Sequence, residues 1–204
     1  MNWLAHVFLS EQNIDQQIGN FLADPLKGKL WESASQEMQK GVSLHKAIDS
    51  FTDSHKKVSL SKSRLREKGL LKGVVIDLTY DYLLTKHWNR FSTIQLSDFL
   101  EQFYQNAQNR VKVYPDNVAL LVLKLVQNDR LNKYHTLDQL YTAFERIDLR
   151  LSSRLLARES ATSYYQSVEE NLDLLEKDFL LFFPELCEHV RSNLGYKDLS
   201  HWNL

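Results

Sequence analysis

The chain has 204 residues, 43% of them hydrophobic, enough for one folded domain with a sizeable core and too much for a disordered chain. Its 25 Lys and Arg against 26 Asp and Glu leave a net charge of −1, which argues against a general nucleic-acid binder. The single cysteine, Cys187, excludes an intrachain disulfide and a cysteine-rich zinc site.

Taken in chain order, the pattern reads as helix nearly throughout, with no sustained alternation of strand type. Residues 2–10 and 13–23 predict two short helices, the second stopped at Pro25, and 35–54 a longer one with Gly41 as a possible bend. A basic segment from Lys56 to Lys72 follows, divided by Gly69, and 73–89 is apolar on nearly every face. Further helices are predicted over 95–112, 116–129 and 136–157. The last, over about 160–193, carries Leu172, Leu175, Phe179 and Phe182 and is expected to kink at Pro184. No apolar run approaches the ~20 residues of a membrane span, and the first residues lack a basic leader region. The expectation is a single all-α domain, cytoplasmic and unprocessed, with no membrane and no nucleic-acid partner.

Two sets of residues bear on chemistry. His45, Asp49 and Asp53 stand four apart, about 6 Å of helical rise per step. Leu44, Ile48 and Phe51 form the neighbouring stripe that must face the core, so the polar stripe runs along the edge of the buried face. Imidazole and carboxylates there suit a divalent ion; a solvated edge with His45 paired to Asp49 is the other reading. Asp77 and Asp81 also stand four apart, and on a helical wheel they fall inside the arc of Val74, Leu78, Leu84 and Trp88. Burying two carboxylates costs several kcal/mol unless a cation, a proton or donors compensate. A bound metal or a structural Arg or Lys would serve. His6 lies in the apolar run Trp3-Leu4-Ala5-His6-Val7-Phe8, where a satisfied core histidine is the ordinary reading. Asn20 and Asp24 end the second helix beside Gly19, and Asp24 equally suits a cap for what begins at Pro25. His87 could be an acid, a ligand or a surface residue. No Gly-rich phosphate loop, nucleophile elbow or H-E-x-x-H helix is present. That leaves a metal-activated water as the available route to phosphoryl chemistry.

The ordered set Asn2-x-Leu4-Ala5-His6, Gly19-Asn20-x-x-Ala23-Asp24, His45-x-x-Ile48-Asp49-x-x-Thr52-Asp53 and Asp77-x-x-x-Asp81-x-x-Leu84-x-x-His87-Trp88 resembles the acyl carrier protein phosphodiesterase family. The motifs cover about the first 90 residues. The resemblance implies an HD-domain-like, all-helical phosphohydrolase fold. It implies removal of 4′-phosphopantetheine from holo-acyl carrier protein with a divalent metal, typically Mn²⁺, with Mg²⁺ the other candidate. Carried onto this chain it implies a metal site of His6, Asp24, His45, Asp49, Asp77 and Asp81. Asp53, Asn20 and Tyr82 are then expected beside the ligands, Asp49 and Asp81 in catalysis, and His87 or His6 as donor to the departing serine oxygen. Two positions depart from the family pattern: Tyr82 follows Asp81 where a histidine is common, and Asp24-Pro25-Leu26-Lys27-Gly28 replaces Asp-Phe-x-x-Gly.

An acidic protein substrate calls for a basic docking face. Lys56, Lys57, Lys62, Arg64 and Arg66, directly after the His45 helix, are the candidates, against the ordinary reading of a charge run as a solvated face. Two other functions fit the same residues: hydrolysis of a small phosphoester or nucleotide, and a helical binding module without catalysis.

Overall fold

The computed structural model describes residues 1–195 and 199–203. Among them the regular structure is helical: α1 (Trp3–Phe8), α2 (Ile14–Leu22), α3 (Gln36–Ser54), α4 (Lys56–Leu65), α5 (Lys72–Lys86), α6 (Trp88–Phe91), α7 (Leu96–Arg110), α8 (Asp116–Gln127), α9 (Leu137–Asp148), α10 (Ser153–Leu156), α11 (Tyr165–Glu170) and α12 (Leu172–Leu194). Among the described residues the one β-type pairing is an isolated bridge between Ser92 and Trp202.

Local chemistry sets many of the boundaries. Asn13 accepts from the N–H groups of Asp15 and Gln16 at the start of α2, Ser35 from Met38 at the start of α3, and Thr136 from Gln139 at the start of α9. Each side chain satisfies donors that a helix start leaves open. His55 leaves helical geometry at φ −76° and ψ 132°, which separates α3 from α4.

Two predicted helices differ from those observed. The 136–157 segment divides into α9 and α10, because Ser152 opens a new helix by accepting from Leu155 N–H. The 160–193 segment divides at Asn171, and Pro184, the expected kink position, lies inside the continuous α12. A helix-interior proline removes one N–H bond; here Leu175, Phe179, Phe182, Phe183, Leu186 and Val190, all fully buried, hold α12 on both sides of it.

That stripe of α12 packs on α3, α4 and α5. An aromatic cluster joins it to α1 and α6: Phe8 lies 6.0 Å from Phe183, and Phe91 lies 4.9 Å from Phe183. The short α1 is thereby central, with Leu4, Ala5, His6, Val7 and Phe8 all buried.

α2 and α3 approach each other closely through two glycines. A Cβ on Gly19 would lie 2.2 Å from the Met38 carbonyl oxygen, and one on Gly41 would lie 2.1 Å from that of Gln16. Only glycine lets the two backbones meet this closely. Gly41 is thus a contact point, and its absent side chain brings the next turn of α3, at His45, against Asn20 and Asp24.

Candidate metal centre

His6 of α1 and His45 of α3 stack face to face, with ring centroids 4.1 Å apart and planes 17° apart. Asn20 of α2 orients both. Its amide Nδ2 donates to the His6 carbonyl at 2.8 Å and to Ser10 Oγ at 3.0 Å, so its Oδ1 is the accepting side. His6 Nδ1 lies 2.8 Å from that Oδ1, and His45 Nδ1 lies 2.9 Å from the Asn20 carbonyl and 3.2 Å from Oδ1. Both Nδ1 atoms therefore carry the proton and donate.

This leaves both Nε2 atoms facing acceptors. His6 Nε2 is 3.3 Å from Asp49 Oδ1 and 3.1 Å from the Met1 carbonyl. His45 Nε2 is 3.0 Å from Asp49 Oδ2 and 3.1 Å from Asp24 Oδ1. Two imidazole lone pairs and a carboxylate converge, with ligand atoms of His6, His45 and Asp49 all within 4.8 Å of one another. Fixing the tautomer through Nδ1–H is how metal-binding histidines are ordinarily aimed. The donor set fits a divalent cation, and Asp24 stands at its rim.

The electrostatics say the same. Burial pushes His6 below its usual pKa, and the charge of His45 adds to this against the Asp49 hydrogen bond. Burial also acts to lower His45, but hydrogen bonds to Asp24 and Asp49 outweigh it and raise the group to about 9. Asp49 is held well below the carboxylate range: burial opposes ionisation, and hydrogen bonds to both histidines overcome it. The hydrogen bond from His45 lowers Asp24 as well. The pocket thus stabilises positive charge between the rings and the carboxylates.

Asp81 and Asp77 have different surroundings from those expected. Asp81 is fully buried, but its carboxylate accepts from Leu4 N–H at 2.9 Å and Ala5 N–H at 3.4 Å. It caps α1, whose own N-cap Asn2 makes no side-chain cap. The donors that compensate its burial are therefore backbone N–H groups, and burial still lifts its pKa to about 7. Asp77 is partly exposed and pairs at 3.0 Å with the Met1 ammonium. Of the compensations open to the pair, Asp77 takes a cation, the Met1 ammonium, and Asp81 takes backbone donors, and neither is among the converging ligand atoms of His6, His45 and Asp49.

The remaining expected residues lie elsewhere. His87 bonds to Glu176 of α12, which also pairs with Lys86, so its ring is engaged away from the histidine pair. Asp53 is largely exposed and pairs with Lys62 at 3.1 Å. Tyr82 is buried in the core. The basic run is mostly consumed within the fold. Arg64 Nε donates to Asp178 at 2.8 Å, Lys57 lies 4.0 Å from the same carboxylate, and Arg66 lies over the Tyr164 ring at 4.2 Å. Lys56 is exposed at the start of α4.

Two groups escaped the sequence reading: the Met1 carbonyl and Ser10 Oγ, which bracket His6 and Asn20. Main-chain atoms leave no sequence signal. Ser10, four residues after His6, had one in its spacing, and its hydroxyl does donate to the His6 carbonyl at 2.9 Å.

A family model described as acyl carrier protein phosphodiesterase matches residues 1–186. The chain is 26% identical over 199 residues to an acyl carrier protein phosphodiesterase of Escherichia coli O45:K1, covering 93% of this chain and 97% of that protein. It is 24% identical over 194 residues to the protein of that name from an Enterobacter species (strain 638), covering 94% and 98%. No solved structure matches the chain. With its motifs, its all-helical fold and a match spanning nearly its whole length, the chain belongs to the acyl carrier protein phosphodiesterase family.

Proposed function

We propose that this chain hydrolyses the phosphodiester joining 4′-phosphopantetheine to the serine of holo-acyl carrier protein, releasing apo-carrier protein, at an HD-type site that uses a divalent metal. The observation carrying this is the pair of stacked histidines whose Nδ1 protons are committed to Asn20 and whose Nε2 atoms meet the Asp49 carboxylate. His6, His45 and Asp49 would hold the ion, with Asp24 as a further ligand or as the neighbouring base. Two nitrogen donors favour Mn²⁺ or a similar transition ion over Mg²⁺, which prefers oxygen. Such an ion, when bound, supplies Lewis acidity toward the phosphoryl oxygens and lowers the pKa of a coordinated water.

The protein's own groups do the rest. Asn20 fixes the two rings so that no reorientation is needed as charge develops. Asp24, an ionised and largely exposed carboxylate at the rim, is placed to accept the proton of the attacking water. Water adds to phosphorus as its proton passes to Asp24, the bond to the serine oxygen breaks, and that oxygen takes a proton from solvent water while Asp24 returns its own to solvent. Asp81 acts at one remove, by capping α1 and so setting the height of His6. His87, engaged by Glu176, is given no part in the step.

The test is mass spectrometry of holo-carrier protein incubated with the chain and Mn²⁺. Loss of the 4′-phosphopantetheine mass, abolished by Asp49→Ala, is the expected result. No release across several carrier proteins and metals would overturn the substrate.

A further inference from the structure

On the outer side of the N-terminal segment lies a cavity of about 350 Å³. Arg130 and Lys133, after α8, and Arg146 and Arg150, at the end of α9, surround a floor that includes Asn2 and Tyr134. Among the described residues no acidic side chain lines it. None of the four cations forms an ion pair with a described residue, whereas Lys57, Lys62, Lys86, Arg64 and Arg110 all do. Burial and the charges of Arg150 and Arg146 act together to lower the proton affinity of Arg130. Trp3 holds Arg130 from one side, its ring 5.8 Å from the guanidinium.

Like charges gathered without counter-charge repel one another, and the strain is relieved when anions arrive. Guanidinium groups are the side chains best shaped for carboxylates and phosphates. The cavity also has a fixed relation to the histidine pair. Asn2 Nδ2 donates to Tyr134 Oη at 2.7 Å in the cavity floor, while the adjacent Met1 carbonyl lies 3.1 Å from His6 Nε2. One short stretch of chain has the cation cluster on one side and the candidate metal centre on the other.

We propose that the Arg130, Lys133, Arg146 and Arg150 cluster is the docking face for the acidic surface of the carrier protein, holding it while its serine-linked phosphodiester reaches His6, His45 and Asp49. The proposal rests on the carrier-protein reading above. It moves the docking face away from the Lys56–Arg66 run, where Asp178, Asp53 and Tyr164 already occupy most of the cations. Four cations from two separate segments match carboxylates spread over a folded acidic partner, and steering by such a face speeds encounter and falls with salt.

The experiment compares Arg146→Glu/Arg150→Glu with wild type and with Lys56→Glu/Lys68→Glu, which reverses two exposed lysines of the Lys56–Lys72 basic segment, on holo-carrier protein over a range of NaCl. Alongside it, calorimetry with apo-carrier protein measures docking without turnover. The cavity double reversal is expected to raise KM about tenfold with kcat within about twofold, and to flatten the salt dependence of KM. Arg146→Gln/Arg150→Gln should lie between. Circular dichroism on each variant excludes unfolding, and Lys112→Glu, exposed elsewhere, reports a nonspecific change of net charge. An equal or greater rise in KM from Lys56→Glu/Lys68→Glu overturns the assignment. So does pyrophosphate binding that is lost with the cavity reversal while KM for the carrier protein stays put, which would make this a small-phosphate site. Turnover without any effect of the cavity reversal defeats the docking face alone. Absence of both turnover and apo-carrier binding in wild type defeats the enzymatic reading with it.

Discussion

Gly41→Ala separates two opposed expectations about the same residue. By helix propensity alone, replacing a glycine inside α3 with alanine stabilises the chain by about 1 kcal/mol. The tertiary contact predicts the reverse. The new Cβ would lie 2.1 Å from the Gln16 carbonyl oxygen and 2.7 Å from Asn20 N, both backbone atoms that cannot rotate away. Reaching an ordinary contact requires α2 and α3 to separate by about 1 Å, and overpacking of this kind costs roughly 1–3 kcal/mol or more. A 2.1 Å clash with rigid backbone belongs at the top of that range, so the net expectation is a loss of about 2 kcal/mol, or roughly a 1 M fall in the urea midpoint at an m-value of about 2 kcal/mol/M. Because His45 sits one turn beyond, the same separation lengthens its 2.9 Å bond to the Asn20 carbonyl. Mn²⁺ affinity should fall together with stability. Urea unfolding followed by circular dichroism gives the first quantity and Mn²⁺ titration by electron paramagnetic resonance the second. A Gly41→Ala protein as stable as wild type with unchanged Mn²⁺ affinity would refute the reasoning, since propensity would then have outweighed the contact.

Asn20→Ala removes the Oδ1 that fixes the His6 Nδ1 proton and leaves His45 Nδ1 its bond to the backbone carbonyl; it should lower metal affinity by about 10–100-fold, the usual scale for a ligand-orienting partner, read in the same titration. Asp81→Asn keeps an oxygen for the α1 N–H groups and is expected to retain much of the activity. Asp81→Ala leaves those donors buried and open and should cost about 1–3 kcal/mol; equal inactivation by both changes in phosphopantetheine release would show that Asp81 acts directly on the reaction. In metal-free protein His45 titrates at about 9 against an ordinary value of 6.5. Its protonated form is therefore favoured by folding, and the stability it contributes is complete below pH 6.5 and lost as pH climbs through 9. Urea midpoints of EDTA-treated wild type minus those of His45→Gln, taken from pH 6 to 10, should fall over that window; a flat difference would remove the charged His45 pairing.

The amino-acid order already contained the helices, because caps such as Ser35 and Thr136 and apolar spacing such as Leu175, Phe179 and Phe182 act over a few residues. Four-residue spacing singled out His45 and Asp49, whereas His6, Asn20 and Asp24 entered the expected site through the family resemblance, since spacing alone left His6 a core histidine and Asp24 a helix cap. What spacing could not carry was which groups meet across helices. A helical wheel placed Asp81 in the apolar arc and left its compensating partner open; only tertiary structure put the end of α1 against it. The same limit applies to Gly41, whose lack of a side chain matters because Gln16 lies opposite. It applies also to the charges. A run such as Lys56–Arg66 is visible in sequence, but Asp178, more than a hundred residues away, engages Lys57 and Arg64. Arg130, Lys133, Arg146 and Arg150 are scattered along the chain, and they converge only where α9 returns beside the N-terminal segment. Local physics writes the elements into the chain; the partners of a buried or charged group belong to the fold, because they come from segments distant in sequence.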